Sequence, residues 1–366
     1  MDLKIGHLFL YAILGGLLLG LSFPFTGGIF PLAFVALVPL FIANYQIGKA
    51  KKGKFFLRLG VNYLYFVIFN AIAVWWIYNA SPSGAYMAIF ANSVLMCLPF
   101  FLAGFVRKHL NEGKALLAFL VLWMAFEFCH YYWELSWPWL NLGHIFGDSP
   151  KLMQWYEYSG VSGGTMWILL VNIFVFIIYR NIRFRKEKFK IQTPNLIFVA
   201  GVLIIPMVSS LFIYYRYEEK PAPVNITIVQ PNIEAHNAKF YLSPAIQINK
   251  LLLAAKADIS EDTDLILAPE TAIPYPVKEV DLKYDTEVLT IREFLDTNGQ
   301  IPMLIGADTY MIYDTKKSVA SRPYGPQWYE NYNTALMFKS NMALEIYHKS
   351  KLVLGGEKLP FVSMLP

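Results

Sequence analysis

The sequence predicts a multi-span α-helical membrane domain over residues 1–216, followed by an extracytoplasmic α/β domain over residues 217–366. Hydrophobic residues make up 56% of the 366 residues and charged residues only 16%, against about 25% charged in an ordinary globular protein. The two regions also differ in charge. The first holds 17 Lys/Arg and 7 Asp/Glu, a net charge of +10, and the second holds 14 and 19, a net charge of −5.

This composition excludes several classes of protein. The high apolar content rules out a disordered chain, a coiled coil and a collagen-like fibre, and it makes an all-soluble globule improbable. Two cysteines cannot form a disulfide framework. Two regions with opposite charge balances instead indicate two different solvents, a lipid bilayer and water.

Seven apolar runs in the first region are each about the length needed to cross a hydrocarbon core of roughly 30 Å. A helix satisfies its own backbone hydrogen bonds in lipid, so the runs predict helices. The first run ends in Phe23-Pro24-Phe25 without a small-residue cleavage site, which predicts a retained helix rather than a signal peptide. The runs are residues 7–23, 29–47, 59–78, 85–106, 115–133, 164–179 and 195–215.

The connections between the runs alternate in charge. Clusters of Lys and Arg follow the second, fourth and sixth runs, whereas the intervening connections contain only Lys151. By the positive-inside rule the three basic connections and the N-terminus are cytoplasmic, and seven crossings place the chain after Tyr215 on the outer side. We interpret the basic clusters as topology signals, not as nucleic-acid sites.

The second region alternates short β-rich runs with helical stretches, which predicts an α/β sandwich. This region contains no cysteine, because Cys97 and Cys129 both fall inside predicted spans. It therefore has neither a disulfide nor a thiol nucleophile of its own. The predicted strands are Val224–Gln230, Leu265–Ala268, Pro302–Gly306, Thr334–Lys339 and Leu344–Lys349, and the predicted helices are Pro244–Ala257 and Asp285–Thr297.

Glu270 follows directly after one of these apolar strands. Open α/β sheets place their chemistry at the carboxyl ends of strands. Partial desolvation by the apolar flanks predicts a raised pKa for Glu270, which suits a general base. The alternative is a surface glutamate that caps the next element.

Lys349 ends the last predicted strand, and Glu357 lies beyond a Gly-Gly turn at Gly355-Gly356. A Lys ammonium beside a reacting carbonyl stabilises a developing oxyanion. From these residues alone, a solvated lysine in a basic run is the favoured interpretation. The sequence shows no glycine-rich nucleotide motif and no His/Cys/Asp spacing typical of a metal site, so we predict neither a metal nor another cofactor.

Several motifs, in order along the whole chain, resemble those of bacterial apolipoprotein N-acyltransferases. Those of the second region resemble the nitrilase-like domain of that family, and those of the first resemble its membrane domain. The motifs are Phe23-Pro24-Phe25, Trp137-Pro138-Trp139-Leu140-Asn141-Leu142-Gly143, Gln154, Gly160, Val229-Gln230-Pro231-Asn232-Ile233, Pro269-Glu270-Thr271-Ala272-Ile273-Pro274, Tyr332-Asn333-Thr334-Ala335, and Tyr347-x-Lys349-x-x-Leu352-Val353-x-x-Gly356-Glu357.

The resemblance implies a nitrilase-like αββα sandwich and a two-step acyl transfer through a Glu-Lys-Cys triad, without a cofactor. Glu270 is then the general base, Lys349 the oxyanion stabiliser and Glu357 a supporting carboxylate. Phe240, where the family usually has Trp on a lid loop, and Trp139 are the implied substrate-binding residues. The implied partners are a phospholipid acyl donor, a diacylglyceryl apolipoprotein acceptor and the bacterial inner membrane, with the catalytic domain periplasmic and the protein monomeric.

The sequence also departs from the family pattern. The family's nucleophilic Cys lies well downstream of the Lys, whereas no Cys follows Lys349 here, and the family's last membrane helix is missing. These departures predict a nitrilase-like domain that is incomplete at its C-terminus, and a chain that is inactive alone.

Other interpretations remain open at this stage. A membrane-tethered nitrilase-type amidase, a transporter or lipid-binding protein with an accessory domain, and a non-catalytic lipid-binding remnant each explain part of the sequence. Glu127 is either a functional intramembrane carboxylate, or a residue that reaches interfacial water or pairs with His130. Trp133, Trp137 and Trp139 belong either to a lipid-binding cleft, as the resemblance suggests, or to an aromatic belt.

Overall fold

The computed structural model describes residues 5–49, 53–234, 238–340, 342–354, 357–358 and 360–361. The chain forms two compact units, Met1–Glu218 and Glu219–Pro366, each with its own hydrophobic core. The first contains seven helices long and apolar enough to span a membrane, and the second contains a mixed β-sheet with helices. The predicted class, a multi-span helical domain plus an α/β domain, is therefore confirmed.

The seven long helices of the first unit overlap the seven predicted runs one for one. The largest difference is the sixth helix, which begins at Tyr156 instead of residue 164, because a short polar helical segment precedes a non-helical kink at Gly160. Gly160 within it has a positive φ of 62°, which glycine adopts without strain. The helices are α1 Ile5–Ser22, α2 Phe30–Lys49, α3 Lys54–Val74, α4 Pro82–Val106, α5 Glu112–Tyr132, α6 Tyr156–Arg183 and α7 Phe189–Arg216.

Close contacts at small residues hold the helices of the first unit together. A Cβ on Gly16 of α1 would lie 2.6 Å from the carbonyl oxygen of Tyr65 in α3, so only glycine allows this approach. Between α2 and α6, the fully buried Asn172 side chain accepts from the Leu37 N–H at 2.9 Å and donates to the Ala33 carbonyl at 2.7 Å. These bonds satisfy α2 where its helical ladder is interrupted at Leu37.

Glu127 in α5 is a structural carboxylate with three partners. It is 5% exposed and accepts hydrogen bonds from Trp123 Nε1 at 2.9 Å, the Leu142 N–H at 2.9 Å and Thr165 Oγ1 at 2.6 Å. The expectation that Glu127 reaches water or pairs with His130 is wrong. His130 Nδ1 instead accepts from the Trp133 indole at 3.3 Å. Glu127 therefore joins α5, α6 and the segment before α6.

A seven-stranded mixed sheet forms the centre of the second unit. Strands β1, β2, β3 and β4 run parallel, and β6 runs antiparallel to β4 along its whole length. The opposite edge of β6 pairs with β5 and β7, both antiparallel to it. The strands are β1 Ile226–Ile228, β2 Leu265–Leu267, β3 Ile273–Lys278, β4 Met303–Tyr313, β5 Arg322–Tyr324, β6 Gln327–Phe338 and β7 Glu345–His348.

The sheet is larger than the sequence predicted. Strands β4 and β6 extend well beyond the predicted Pro302–Gly306 and Thr334–Lys339, because their outer halves pair with each other. These outer halves include polar residues and show no clear apolar alternation, so the sequence pattern did not indicate them. Strand β3 was not predicted. It contains Pro274 and Pro276, which cannot donate to a ladder, and its pairing with β4 is correspondingly irregular.

The α-helices among the described residues of the second unit are α8 Ala238–Tyr241, α9 Pro244–Lys256 and α10 Thr286–Thr297. Asp285 caps α10 by accepting from two backbone N–H groups at 3.1 Å each. Leu251 of α9 and Ile291 of α10 are both buried in the core that also contains Ile305 of β4. The two longer helices thus bury one apolar face each, and their bounds lie close to the predicted ones.

Candidate active site

Glu270 lies in the turn between β2 and β3, against the backbone of β4. The Gly306 N–H donates to the Pro269 carbonyl at 3.1 Å, which fixes this turn to the sheet. The next residue, Thr271, has a φ of +47°, in the region that favours glycine. A Cβ on Gly306 would lie 2.5 Å from the Glu270 Cα and from the Thr271 N. The position of Glu270 therefore depends on glycine at residue 306.

We expect Gly306→Ala to destabilise the second unit by about 1–3 kcal/mol, since the added methyl group overpacks a contact made of backbone atoms. Thermal unfolding of the detergent-solubilised protein measures this effect. Gly201→Ala is the matched control, because its added Cβ meets only Ile205 Cδ1 at 3.8 Å, an ordinary contact. Equal melting temperatures for the two variants would contradict the proposed close approach.

Lys349 directly follows β7, and β6 fixes its position. His348 pairs with Thr334 in the β6–β7 ladder, and the Lys349 N–H donates to the Asn333 carbonyl at 2.8 Å. In the β4–β6 ladder Asn333 pairs with Asp308. Side chains from three neighbouring strands therefore meet beside the turn that carries Glu270.

Glu270, Asn333, Lys349 and Glu357 form one hydrogen-bonded cluster. Lys349 Nζ lies 3.1 Å from Glu270 Oε1 and 2.7 Å from Glu357 Oε1. Asn333 Nδ2 donates to Glu270 Oε1 and, at 2.8 Å, to Glu357 Oε1. Glu357 Oε2 accepts from the Val353 N–H at 2.7 Å. One ammonium and one amide are thus shared between two carboxylates that are far apart in the sequence.

The members of the cluster differ in exposure. The Glu270 side chain is 59% exposed, against 31% for Lys349 and 25% for Glu357. Glu270 is therefore the carboxylate that an incoming molecule reaches first. Glu357 is held from behind by Lys349, Asn333 and the Val353 backbone.

The raised pKa predicted for Glu270 is wrong. Hydrogen bonds from Asn333 and Lys349 lower the pKa of Glu270, and they outweigh the opposing effect of its partial burial. Burial also raises the pKa of Glu357, but hydrogen bonds from Lys349, Val353 and Asn333 hold it below the usual glutamate range. The hydrogen bond to Glu357 is the main cause that raises the pKa of Lys349. The cluster therefore holds two carboxylates and one ammonium at neutral pH.

A second layer of hydrogen bonds supports the end of β7. His348 Nε2 lies 2.6 Å from Glu279 Oε1, which also accepts from Thr309 Oγ1 at 2.9 Å. The Tyr332 ring stacks on the His348 imidazole with centroids 3.9 Å apart. These contacts fix the residue that precedes Lys349, and so limit where its side chain can reach.

Two further charged groups lie near Glu270. Lys239 in α8 donates to Thr271 Oγ1 through its Nζ. Asp308 is half-buried, and its pKa is raised chiefly by burial and also by the charge of Glu270, while Lys239 opposes the rise. Phe240 lies in the same short helix as Lys239, but its side chain is outside the described part of the structure. The predicted role of Phe240 stays a prediction.

Trp139, in the first unit, is the middle member of an aromatic stack. Its indole is parallel to Trp76, with centroids 5.8 Å apart, and lies 5.4 Å from Trp137. Trp139 is 46% exposed, so the stack presents an open aromatic surface. This arrangement is compatible with both predicted roles, an acyl-chain cleft and an interfacial belt.

Asn333 was missed as a site residue by the sequence analysis, although its motif was noted. Asn333 is a polar residue of β6. It immediately precedes Thr334, which pairs with His348 at the end of β7. The sequence does not show that β6 pairs with β7, and only this pairing places Asn333 beside Lys349. Among the described residues, no group of three or more His, Cys, Asp or Glu side chains is placed to hold a metal ion.

Comparison with known proteins gives a consistent result. Residues 15–174 match the family model described as the apolipoprotein N-acyltransferase N-terminal domain. A curated apolipoprotein N-acyltransferase of Chlorobaculum tepidum is 26% identical over 366 residues, covering 98% of this chain. The enzyme of the same name from Geobacter metallireducens is 29% identical over 281 residues, 73% of this chain.

The chain is therefore similar, over nearly its whole length, to apolipoprotein N-acyltransferases. A third apolipoprotein N-acyltransferase, from Rickettsia prowazekii, is 25% identical across 97% of the chain. The chain spans 66% of the length of the Chlorobaculum relative, 51% of the Geobacter relative and 67% of the Rickettsia relative. Together with the seven apolar helices found among the described residues, the similarity indicates an integral membrane protein.

Proposed function

We propose that this protein transfers an acyl chain from a phospholipid to the N-terminal amine of a diacylglyceryl-cysteine in an apolipoprotein. The observation that carries the proposal is the 3.1 Å contact between Glu270 and Lys349, which lie 79 positions apart in the sequence. The relatives' name supplies the reaction class. In acyl transfer, a carboxylate base accepts the proton of the nucleophile and a neighbouring ammonium stabilises the oxyanion.

The proposed reaction has two steps. In the first, a thiolate attacks the ester carbonyl of the phospholipid, Glu270 having taken the thiol proton, and lysophospholipid leaves with that proton as a thioester forms. In the second, the acceptor's α-amine attacks the thioester, an amide bond forms, and the thiol is regenerated. Lys349 stabilises the oxyanion in both steps, and dividing one difficult acylation into two easier ones lowers the barrier.

Each polar member of the cluster has a part in this proposal. Glu357 is the supporting carboxylate, because its bonds to Lys349 and the Val353 N–H orient the ammonium. Asn333 binds the same oxygen of Glu270 that Lys349 contacts, and so it orients the base. Phe240 and Trp139 are the proposed lipid-contacting residues.

None of residues 219–366 is a cysteine, so the second unit does not itself supply the thiol of this mechanism. The only cysteines are Cys97 and Cys129, in helices α4 and α5. We therefore also propose that a polypeptide of these 366 residues alone does not catalyse acyl transfer. The activity assays use the natural gene product, with the 366-residue polypeptide as a comparison.

The proposal also assigns location and partners. We propose a protein of the bacterial inner membrane, as the family resemblance implies, and the charge alternation of the connections supports a periplasmic location for Glu270. The phospholipid donor and the lipoprotein acceptor are both membrane-anchored, so a soluble unit attached to seven spans acts where they are found. We propose a monomer as the active form, with the nitrilase-like αββα sandwich as the fold of the second unit.

The test is an acylation assay in vesicles of defined composition. Purified protein is incubated with phosphatidylethanolamine vesicles and a diacylglyceryl-cysteine peptide, and the products are separated by mass spectrometry. We expect a triacylated peptide and an equal amount of lysophospholipid. A peptide with an acetylated α-amine is the matched control, since it offers no nucleophile for the second step.

The outcomes separate the competing functions. Release of free fatty acid without triacylated peptide would favour a membrane-tethered amidase-type hydrolase and overturn the proposal. If the natural gene product binds phospholipid but forms neither triacylated peptide nor free fatty acid, the result would indicate a non-catalytic lipid-binding protein. Triacylated peptide from the 366-residue polypeptide would overturn the requirement for a further thiol.

A further inference from the structure

The three basic connections of the first unit meet at one end of its helices. Arg185, which follows α6, lies 2.5 Å from Glu112 at the start of α5, and Arg180 lies 3.1 Å from the same carboxylate. Arg107, after α4, lies 3.9 Å from Glu112. Lys54, which begins α3, donates to the Gly48 carbonyl near the end of α2. This end of the unit, which we name the basic end, therefore brings together residues of five helices.

An open cavity of about 80 Å³ lies at the basic end, room for several water molecules or one phosphate group. Its inner wall is apolar and is built from Phe41, Phe100, Phe119 and Phe176. Phe100 and Phe119 pack with centroids 4.7 Å apart, and Phe41 contacts both, so the wall is firmly held. A wall of this kind suits a hydrocarbon chain.

Arg58 and Arg107 line the polar part of the same cavity. The Arg58 Nε is buried without a hydrogen-bond partner, and none of the ion pairs among the described residues involves Arg58. Arg107 acts on Arg58 as a like charge. Among the described residues its one ion pair is the 3.9 Å contact with Glu112, and its guanidinium lies 5.7 Å from the centre of the Tyr45 ring. Glu112 is already bound closely by two other guanidinium groups, so it cannot neutralise this pair.

We propose that this cavity binds an anionic phospholipid of the adjacent leaflet, with its phosphate on Arg58 and Arg107 and an acyl chain against the phenylalanine wall. A phosphate diester satisfies a buried guanidinium N–H and separates two like charges, and guanidinium groups bind phosphate in a bidentate manner. Basic pockets between membrane helices recognise anionic headgroups in this way. The predicted topology assigns the basic end to the cytoplasmic leaflet, so this lipid is distinct from the proposed acyl donor.

Native mass spectrometry of the purified protein from nanodiscs tests the proposal. We expect retained phosphatidylglycerol, and little retained phosphatidylcholine, in nanodiscs made from equal parts of the two lipids. Arg58→Gln and Arg107→Gln should each weaken phosphatidylglycerol retention by about fivefold. Arg216→Gln is the matched control, because that arginine ends α7 and its guanidinium lies over the Phe212 ring.

A second variant tests the apolar half of the cavity without changing any charge. Ala103 lines the cavity, so Ala103→Phe should displace the acyl chain and lower phosphatidylglycerol retention by a similar factor. Thermal unfolding of each variant in lipid-free detergent separates loss of binding from loss of fold.

Three results would overturn the proposal. One is equal phosphatidylglycerol retention by folded Arg58→Gln, Arg107→Gln and unmodified protein. Another is equal retention of phosphatidylcholine, which would show that the headgroup's net charge is not recognised. The last is full competition by glycerophosphoglycerol at the lipid's concentration, which would make the occupant a soluble phosphate diester. None of these results depends on acyl transfer, so they leave the proposed function untouched.

Discussion

Glu270→Gln is expected to lower acyl transfer by about 10²–10⁴-fold, the range that a positioned general base contributes. Glutamine keeps the size of the side chain and still accepts from Asn333 and Lys349, but it cannot take the thiol proton. The fold should be little affected, because Glu270 is 59% exposed and lies in a turn. The measurement is the initial rate of triacylated peptide formation.

The pH dependence of the unmodified protein follows from the direction of the pKa shift. The pKa of Glu270 is lowered, chiefly by the Asn333 hydrogen bond. The base is therefore already deprotonated at neutral pH, and its activity should fall only when the pH drops below the ordinary glutamate range. The stability that its bonds contribute has the same sign, since it is present at neutral pH and lost as the pH falls through the lowered pKa.

Asn333→Ala gives an independent check of this cause. It removes the hydrogen bond that lowers the pKa of Glu270 most, so the acid limb of the rate profile should move to higher pH. Glu261→Gln, an exposed glutamate in the loop before β2, is the control for the loss of a charge and should leave the profile unchanged. An unshifted acid limb in Asn333→Ala would show that Asn333 does not set the ionisation of Glu270.

The membrane half of the fold was largely predictable because lipid leaves few alternatives. A run of about 20 apolar residues can cross a bilayer only as a helix, so length and composition determine the element. The same reasoning missed the start of α6, since the short helical segment before the kink at Gly160, which contains Glu157, lies outside any apolar run. Buried polar contacts such as Asn172 with Leu37 depend on which helices are neighbours, which composition does not specify.

The α/β half was predictable where strands are buried on both faces and less so elsewhere. The apolar β2 and the inner part of β4 stand out in sequence, whereas the outer parts of β4 and β6 pair backbone to backbone and carry a mixture of polar, aromatic and apolar side chains. Strand β3 carries two prolines, which argue against a strand unless it lies at a sheet edge. Pairing partners, not local propensity, decide these segments.

The candidate site shows the same division. Glu270, Lys349 and Glu357 were chosen from motifs, and the structure brings their side chains together. The direction of the Glu270 pKa shift was wrong because local apolar flanks were considered without the donors that the fold supplies. Asn333 donates to both carboxylates from a strand that is distant from either in the sequence. Cross-strand contacts therefore determine the electrostatics of the site.

Lys349→Met is expected to reduce acyl transfer by about 10²–10³-fold, comparable with the loss of one oxyanion-stabilising donor elsewhere. Methionine keeps the length of the apolar stem but removes the ammonium. The control is Lys351→Met, an exposed lysine of the same basic run, which should retain full activity. Equal activity of the two variants would support the simpler interpretation of Lys349 as a solvated surface lysine.

The pH profile of Lys349→Met distinguishes loss of an oxyanion donor from a merely structural effect. Without the ammonium, Glu270 and Glu357 still share the Asn333 amide, but each loses its only cationic partner among the described contacts. Two carboxylates in this position raise each other's pKa. The residual activity should therefore have its acid limb at higher pH than the unmodified protein, whereas a general loosening of the second unit would lower the rate at every pH alike.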